Sequence, residues 1–478
     1  MREAAVRTER VLLVQPKNDA DWRGLVPHVG LGYLAEFLAS RGVECEVVDL
    51  NLDRFSRLQE RIESFRPQLV GFSLITLGYL NHYALIRSVK ELAPQAVTVA
   101  GGPHVTIFRE RALNDCPELD MAVLREGEYT LSEICEGRDL ASIQGLFYRD
   151  GDLVAFTGDR DMIGHLDSLP WPRYRQFDLD RYIPERTIYS TRGCPQRCIF
   201  CANPVLQPIF RARSTDNVLD EMEYWYLRDT RQFNFDDDNF NLVRQRVFDI
   251  CDGIERRRMR GLTLRCSNGI RADRVDRQML ERMKQVGFRY LAFGVDGGNN
   301  RVLEIVRKGE TIETIEGAIN MAVGLGYEVK CLFVVGTPGE AWQDIEDKVR
   351  LARRYPIHDV HFYNIIPYPG TELYRWIEDR GLFLIPPERY LNNVTAFTNT
   401  PVFETPELPV AERVCMLRYL TQVRRDVHRQ ALRRIFGRHR LLGTVASYLM
   451  ENPFCQNLFY QNAFVRRTAD LLRYGHQG

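Results

Sequence analysis

At 478 residues the chain is too long for one ordinary core, and about 150 residues per domain predicts two or three. Its 64 Lys and Arg balance 64 Asp and Glu, so no net basic field marks nucleic acid as the default partner. No apolar run reaches the roughly 20 residues of a membrane span, Met1–Arg7 has no apolar signal stretch, and 11 scattered cysteines suit a reducing cytosol, the expected location.

Residues 11–137 alternate short β-rich runs with helical patterns. Strands are predicted at Val11–Val14, Cys45–Leu50, Leu69–Leu74, Val97–Gly102 and Met121–Leu124. Such alternation predicts an α/β domain, a doubly wound parallel sheet whose ligand sits beyond the carboxyl ends of its strands. The loops there carry Ser73 and the run Gly101-Gly102-Pro103-His104. Glycines let backbone approach a ligand, although Gly-Gly after a strand also serves as a tight turn. The expected divisions are a sheet domain over 1–140, a connector over 141–185, a barrel over 186–385 and a helical region over 386–478.

The barrel is expected from six further strands, at Thr187–Ser190, Gln232–Asp236, Leu262–Cys266, Tyr290–Asp296, Val329–Gly336 and Val360–Ile366, each followed by a helical stretch. Six such units predict a partial (β/α)6 barrel of TIM type, with its chemistry at the strand carboxyl ends. Directly after the first strand comes Thr191-Arg-Gly-Cys-Pro-Gln-Arg-Cys-Ile-Phe-Cys, which gathers Cys194, Cys198 and Cys201. Three thiolates leave one iron of a [4Fe-4S] cluster open to a small molecule. A zinc site would need a fourth ligand in paired spacing, and the sequence has no second pair.

Other polar residues fall at the predicted strand ends. Phe235-Asp-Asp-Asp-Asn ends the second; alternate residues of an extended chain share a face, which selects Asp236 and Asp238 over Asp237. Ser267-Asn-Gly-Ile-Arg follows the third and offers Asn268 and Arg271; the Arg suits a carboxylate, or a salt bridge to Asp273 or Asp276. The fourth ends at Asp296, and the fifth runs into Gly336-Thr-Pro-Gly-Glu. Beyond about 386 helices are expected, and residues 411–478 hold 12 Arg against 4 acids. Arg424–Phe436 permits an amphipathic helix on an acidic membrane surface, with a solvated basic face as the plainer reading.

The Cys-x3-Cys-x2-Cys loop, with Phe200 before its last cysteine, resembles the signature of the radical S-adenosylmethionine (SAM) superfamily. Pro27-His-Val-Gly-Leu-Gly-Tyr, Gly101-Gly-Pro-His and Arg125-Glu-Gly-Glu resemble the cobalamin-binding domain that precedes many radical SAM domains. The resemblance implies a [4Fe-4S] cluster on Cys194, Cys198 and Cys201, and SAM bound at Asp236, Asp238, Asn268, Arg271 and Gly336. It also implies cobalamin at Ser73, Gly101, Gly102 and His104; no Asp-x-His-x-x-Gly nominates a histidine for cobalt. Asp296 stands where the family usually has Glu in Gly-Val-Glu-Ser-Gly, which makes it the candidate catalytic residue.

Relatives of this kind include hopanoid C-methylases and an anaerobic porphyrin ring cyclase. The implied activity is cobalamin-dependent methylation of an unactivated carbon in a small molecule or lipid, fed by an external one-electron reductant of flavodoxin or ferredoxin type. A cobalamin-independent rearrangement, dehydration or cyclisation is the second reading, and a cobalamin- or redox-responsive sensor the third. Nothing in the sequence selects the substrate.

Overall fold

The computed structural model describes residues 7–18, 25–393, 397, 400–435, 445, 448 and 449. The first sheet comprises β1 (Arg10–Gln15), β2 (Glu44–Asp49), β3 (Leu69–Ser73), β4 (Val97–Gly101), β5 (Met121–Val123), β6 (Leu146–Asp150) and β7 (Leu153–Phe156). Its order is β2-β1-β3-β4-β5-β6-β7, parallel through β5 and antiparallel beyond. Leu12 and Val14 enter one apolar core while Val11 and Leu13 enter another, so β1 is covered on both faces, as a strand with helices on either side must be. The order reverses between β1 and β3, and a ligand crevice forms at such a switch point.

The expected connector is therefore partly sheet. Asp150 pairs with Leu153 around a two-residue turn in which Gly151 has φ 62°, and the hairpin adds β6 and β7 to the sheet. A Gly-Asp pair between two β-rich runs is the local signal for that turn.

The second sheet follows: β8 (Glu185–Ile188), the short ribbon β9 (Thr191–Arg192) and β10 (Arg211–Ala212), then β11 (Gln232–Phe235), β12 (Thr263–Ile270), β13 (Phe288–Asp296), β14 (Glu328–Val335) and β15 (Asp359–Asn364). Apart from the ribbon, its six strands are parallel in the order β15-β14-β13-β12-β11-β8, the succession of a partial barrel. Its core carries Phe233, Leu264, Leu291, Val329 and Val360, one from each of five strands, under the helices that return between them.

The helix Val410–Ile435 packs on β15 and on the helix Trp342–Arg354. Met416, Leu417, Leu420, Val423 and Val427 are buried in the barrel core, and Ala431 is buried as well. The membrane reading of Arg424–Phe436 needed that apolar side free; Val427 and Ala431 are used inside the fold, and Phe436 lies outside the described residues. Among the described residues no helix is long and apolar enough to cross a membrane.

Candidate active site and cofactor cleft

The ribbon β9–β10 closes the cysteine loop, Gly193–Phe210, at its base. Gly193 has φ 88°, and a Cβ there would stand 2.8 Å from Gln207 O, so only glycine fits between the two arms. Two backbone bonds dock the loop on the barrel: Ile199 N donates to Val306 O (3.2 Å), and Leu373 N donates to Ile199 O (2.9 Å). Burial raises the pKa of Cys198, to about 12, and of Cys201, and the neighbouring thiols of the loop add to it. Asn203 N lies 3.4 Å from Cys201 Sγ and Asn239 Nδ2 lies 3.8 Å from Cys194 Sγ, both as donors. The other described cysteines are buried, except exposed Cys415; Cys455 lies outside the described residues.

Among the described residues, no three His, Cys, Asp or Glu side chains converge as ligands to a single metal ion. A cubane asks something else, one thiolate per iron around a larger body, and three cysteines on one loop with N–H donors to sulfur suit it. The donor set fits a [4Fe-4S] cluster and does not fit zinc.

β11 ends at Phe235, so the three acids stand on the loop beyond it and not on the strand. Asp237 is buried and accepts from Ser190 N (2.6 Å) and Thr191 N (2.7 Å), which ties β11 to the start of the cysteine loop. Burial lifts its pKa to about 6 against those bonds. Asp236 accepts from Tyr189 Oη (3.1 Å), Asp238 accepts from Gly193 N (3.2 Å), and both line the main cleft. Asn268 sits beside them, its amide 3.2 Å from Asp237 O.

Arg271 has its salt bridge: Nε donates to Asp273 at 2.8 Å and Nη2 to Gly309 O at 3.0 Å. Asp296, at φ 58°, pairs with Lys308 at 2.8 Å; Lys308 is partly buried near Cys198 and lies 3.6 Å from Glu310. Sequence reasoning missed Lys308, whose one signal is a lysine in a turn between two helices. Gly336 follows β14 and is engaged by the protein itself. It is not among the cleft-lining residues; its N–H donates to Glu340 (2.6 Å) and its carbonyl accepts from Arg413 (2.9 Å) on the C-terminal helix. Glu340 is held in turn by Lys348, and both side chains are fully buried.

The cleft, 650 Å³, opens between the two sheets. One wall is the switch-point end of the first sheet, with Gln15, Ser73, Gly101 and Gly102; the other carries Tyr189, Arg192, Asp236 and Asp238. A Cβ at Gly101 would meet nothing nearer than Val123 O at 3.8 Å, so backbone there lies open to a ligand. That open sheet end facing the cluster side suits cobalamin. His104 is a correction. Pro103 starts the helix Pro103–Phe108, which turns His104 into the core, against Tyr83 Oη (2.6 Å) and stacked on Tyr79, away from the cleft. His28 does line the cleft, yet its Nδ1 caps the helix Val29–Ser40 at Leu31 N (3.0 Å) and its Nε2 lies 3.4 Å from Ser73 Oγ.

Comparison with known proteins agrees with this layout. The B12 binding domain family matches residues 19–135 and the Radical SAM superfamily matches 188–352. An uncharacterized methyltransferase of Pyrococcus horikoshii is 28% identical over 395 residues, covering 79% of this chain and 85% of that protein. The anaerobic magnesium-protoporphyrin IX monomethyl ester cyclase of Rubrivivax gelatinosus is 26% identical, covering 98% and 85%. The radical SAM methyltransferase TsrM of Kitasatospora setae, solved with tryptophan and a SAM analog, superposes with a TM-score of 0.69 at 21% identity, covering 78% and 76%. The chain is a B12-binding radical SAM enzyme.

Proposed function

We propose that the enzyme methylates an unactivated carbon of a small molecule or lipid in a cobalamin-dependent reaction. The observation that carries this reading is the single cleft shared by the switch-point loops of the first sheet and the residues around the cysteine loop. Two relatives named as methyltransferases, one by sequence and one by fold, support it. When bound, the cluster supplies the electron that cleaves SAM reductively, and cobalamin supplies methyl transfer.

The chain's own residues bind and orient. Cys194, Cys198 and Cys201 hold the cluster. Asp236 and Asp238 offer carboxylate oxygens to the ammonium of SAM, while Asp237, fully hydrogen-bonded, keeps the loop in place. Asn268 faces the same loop and suits the ribose or carboxylate of SAM. Arg271 and Gly336 have protein partners and act as supports of the site rather than as contacts of the ligand. Ser73, Gly101 and Gly102 would border cobalamin, while His28 and His104 are engaged by the protein itself. A flavodoxin- or ferredoxin-type reductant would approach where Arg197 and Ile209 of the cysteine loop are exposed. A membrane-surface role is left only to the stretch beyond 435.

Anaerobic protein grown with cobalamin and given SAM carrying a deuterated methyl group tests the reading. Cobalt in the protein, 5'-deoxyadenosine, and a labelled methyl in the product are expected. Turnover without cobalt or label would establish the second reading, a rearrangement or cyclisation, which the cyclase relative spanning 98% of the chain favours. Absence of 5'-deoxyadenosine would favour a sensor.

A further inference from the structure

The base of the cysteine loop holds two cations face to face. In the ribbon, Arg192 of β9 stands opposite Arg211 of β10, and all three cysteines lie in the loop between them. Like charges directly opposite across a strand pair repel. One carboxylate from the first sheet's domain spans both. Glu126, just beyond β5, accepts from Arg192 Nη1 at 2.9 Å through Oε1 and from Arg211 Nη1 at 2.6 Å through Oε2. Its Oε2 also accepts from Ile163 N at 2.8 Å, and Arg211 Nη1 donates to Ile163 O at 2.9 Å, which brings the connector into the same knot. Glu128 accepts from the other Arg192 nitrogen at 2.8 Å, and the guanidinium lies over the Tyr33 ring.

The Glu126 side chain is 5% exposed and that of Arg211 7%. Burial alone would raise the carboxyl, but Arg192 and Arg211 outweigh it and hold the group below the usual carboxylate range. Both oxygens already serve three donors, so although Glu126 borders the cleft it has little acceptor capacity left for a ligand.

We infer that Glu126 is a positioning residue: it closes the neck of the cysteine loop by bridging Arg192 and Arg211 and fastens that neck to the cobalamin-side sheet. This rests on the radical SAM reading of the loop. Without the charge, Arg192 keeps Glu128, whereas Arg211 keeps only the neutral oxygens of Gln207, Ile209 and Ile163. A buried cation left without its anion then pushes the two arms apart, a costly state in a low-dielectric interior.

The test is the rate at which an iron chelator strips the reconstituted cluster, followed by loss of its visible absorbance under anaerobic conditions. E126Q should lose iron about tenfold faster than the wild type, as expected when a buried ion pair is broken from one side. E126Q/R211M, which removes the unpaired cation as well, should return to within about twofold of wild type, the coupling expected of groups in direct contact. The reduced cluster's EPR spectrum should change in the single variant and recover in the double. Wild-type stripping by E126Q, or no recovery in the double variant, overturns the inference. Should E126Q fail to fold, solubility becomes the readout: a soluble double variant supports the neck, and two insoluble variants overturn it. If even the wild type takes up no iron, the radical SAM reading fails, and the neck is judged by proteolysis between Gly193 and Phe210. E126Q should speed that cleavage and R211M in its background should slow it again.

Discussion

Lys308 Nζ lies 2.8 Å from the carboxylate of Asp296, and both side chains are nearly inaccessible to water. The acid that departs from the family's usual Glu is therefore half of a buried ion pair against the cysteine loop. Asp296 also has φ 58°, a left-handed conformation that Asn and Asp adopt more readily than other side chains.

That pairing sharpens what substitution should do. Asp296→Asn keeps the backbone and removes the charge, leaving Lys308 with Glu310 alone. Iron content and uncoupled 5'-deoxyadenosine formation should hold while product falls roughly tenfold or more, the worth of one charged hydrogen bond. Equal loss of both activities would assign the pair to SAM. Asp296→Ala should in addition lower stability by about 1 kcal/mol, because alanine pays for the left-handed backbone.

Replacing Cys194, Cys198 or Cys201 with Ala should abolish the cluster and all cleavage of SAM, against about four irons per chain in the parent. Replacing Cys251, Cys266 or Cys331 should leave iron unchanged, since each is a buried thiol of the barrel core. Iron analysis with the visible spectrum separates the two groups.

The two glycines after β4 should behave differently. Gly101 opens on the cleft, so Gly101→Leu should exclude cobalamin while thermal stability is held. Gly102 has φ 100° and ψ −174°, a region reserved to glycine, and a Cβ there would meet Leu74 O at 2.7 Å. Gly102→Ala should cost about 1–3 kcal/mol of stability. Cobalt content and thermal melts of the two variants read the difference.

His104 makes a pH prediction. Burial, helped by the neighbouring His82 and Arg111 charges, pushes its pKa from 6.5 to about 3. Between those values the unfolded chain takes a proton that the folded chain refuses. Stability therefore falls as pH drops from 6.5 towards 3, by at most about 1.4 kcal/mol per unit from this group. His104→Gln, which can still meet Tyr83 Oη, should show a shallower acid slope in denaturant unfolding. Parallel slopes would mean that His104 is protonated in the fold.

Much of the architecture was legible because strand periodicity and the Cys-x3-Cys-x2-Cys spacing are local properties. Alternation singled out Asp236 and Asp238, but the strand itself stops at Phe235, before any of the three acids. The hairpin turning at Gly151-Asp152 was written in the chain and passed over. His104 misled because a Gly-Gly-Pro-His run looks like a loop, whereas proline at the first helical position starts a turn that carries the next side chain inward. Lys308 with Asp296, Arg413 with Gly336 and Glu126 with Arg192 lie 12, 77 and 66 residues apart. Ion pairs and supports of that kind are chosen by the tertiary fold, and no spacing rule announces them.

The burial of Arg413 bears on how the protein can be divided. Arg413 is 1% exposed, its guanidinium held by Leu408 O and Gly336 O, at the start of the helix that packs on β15, the last strand of an unclosed sheet. An uncovered terminal strand is a template for another chain. A chain cut near 385, where the barrel pattern ends, should therefore self-associate, whereas one carried to 435 keeps its own cover. For chimeras between relatives, the joint belongs after that helix, which is as much a stave of the barrel as any strand.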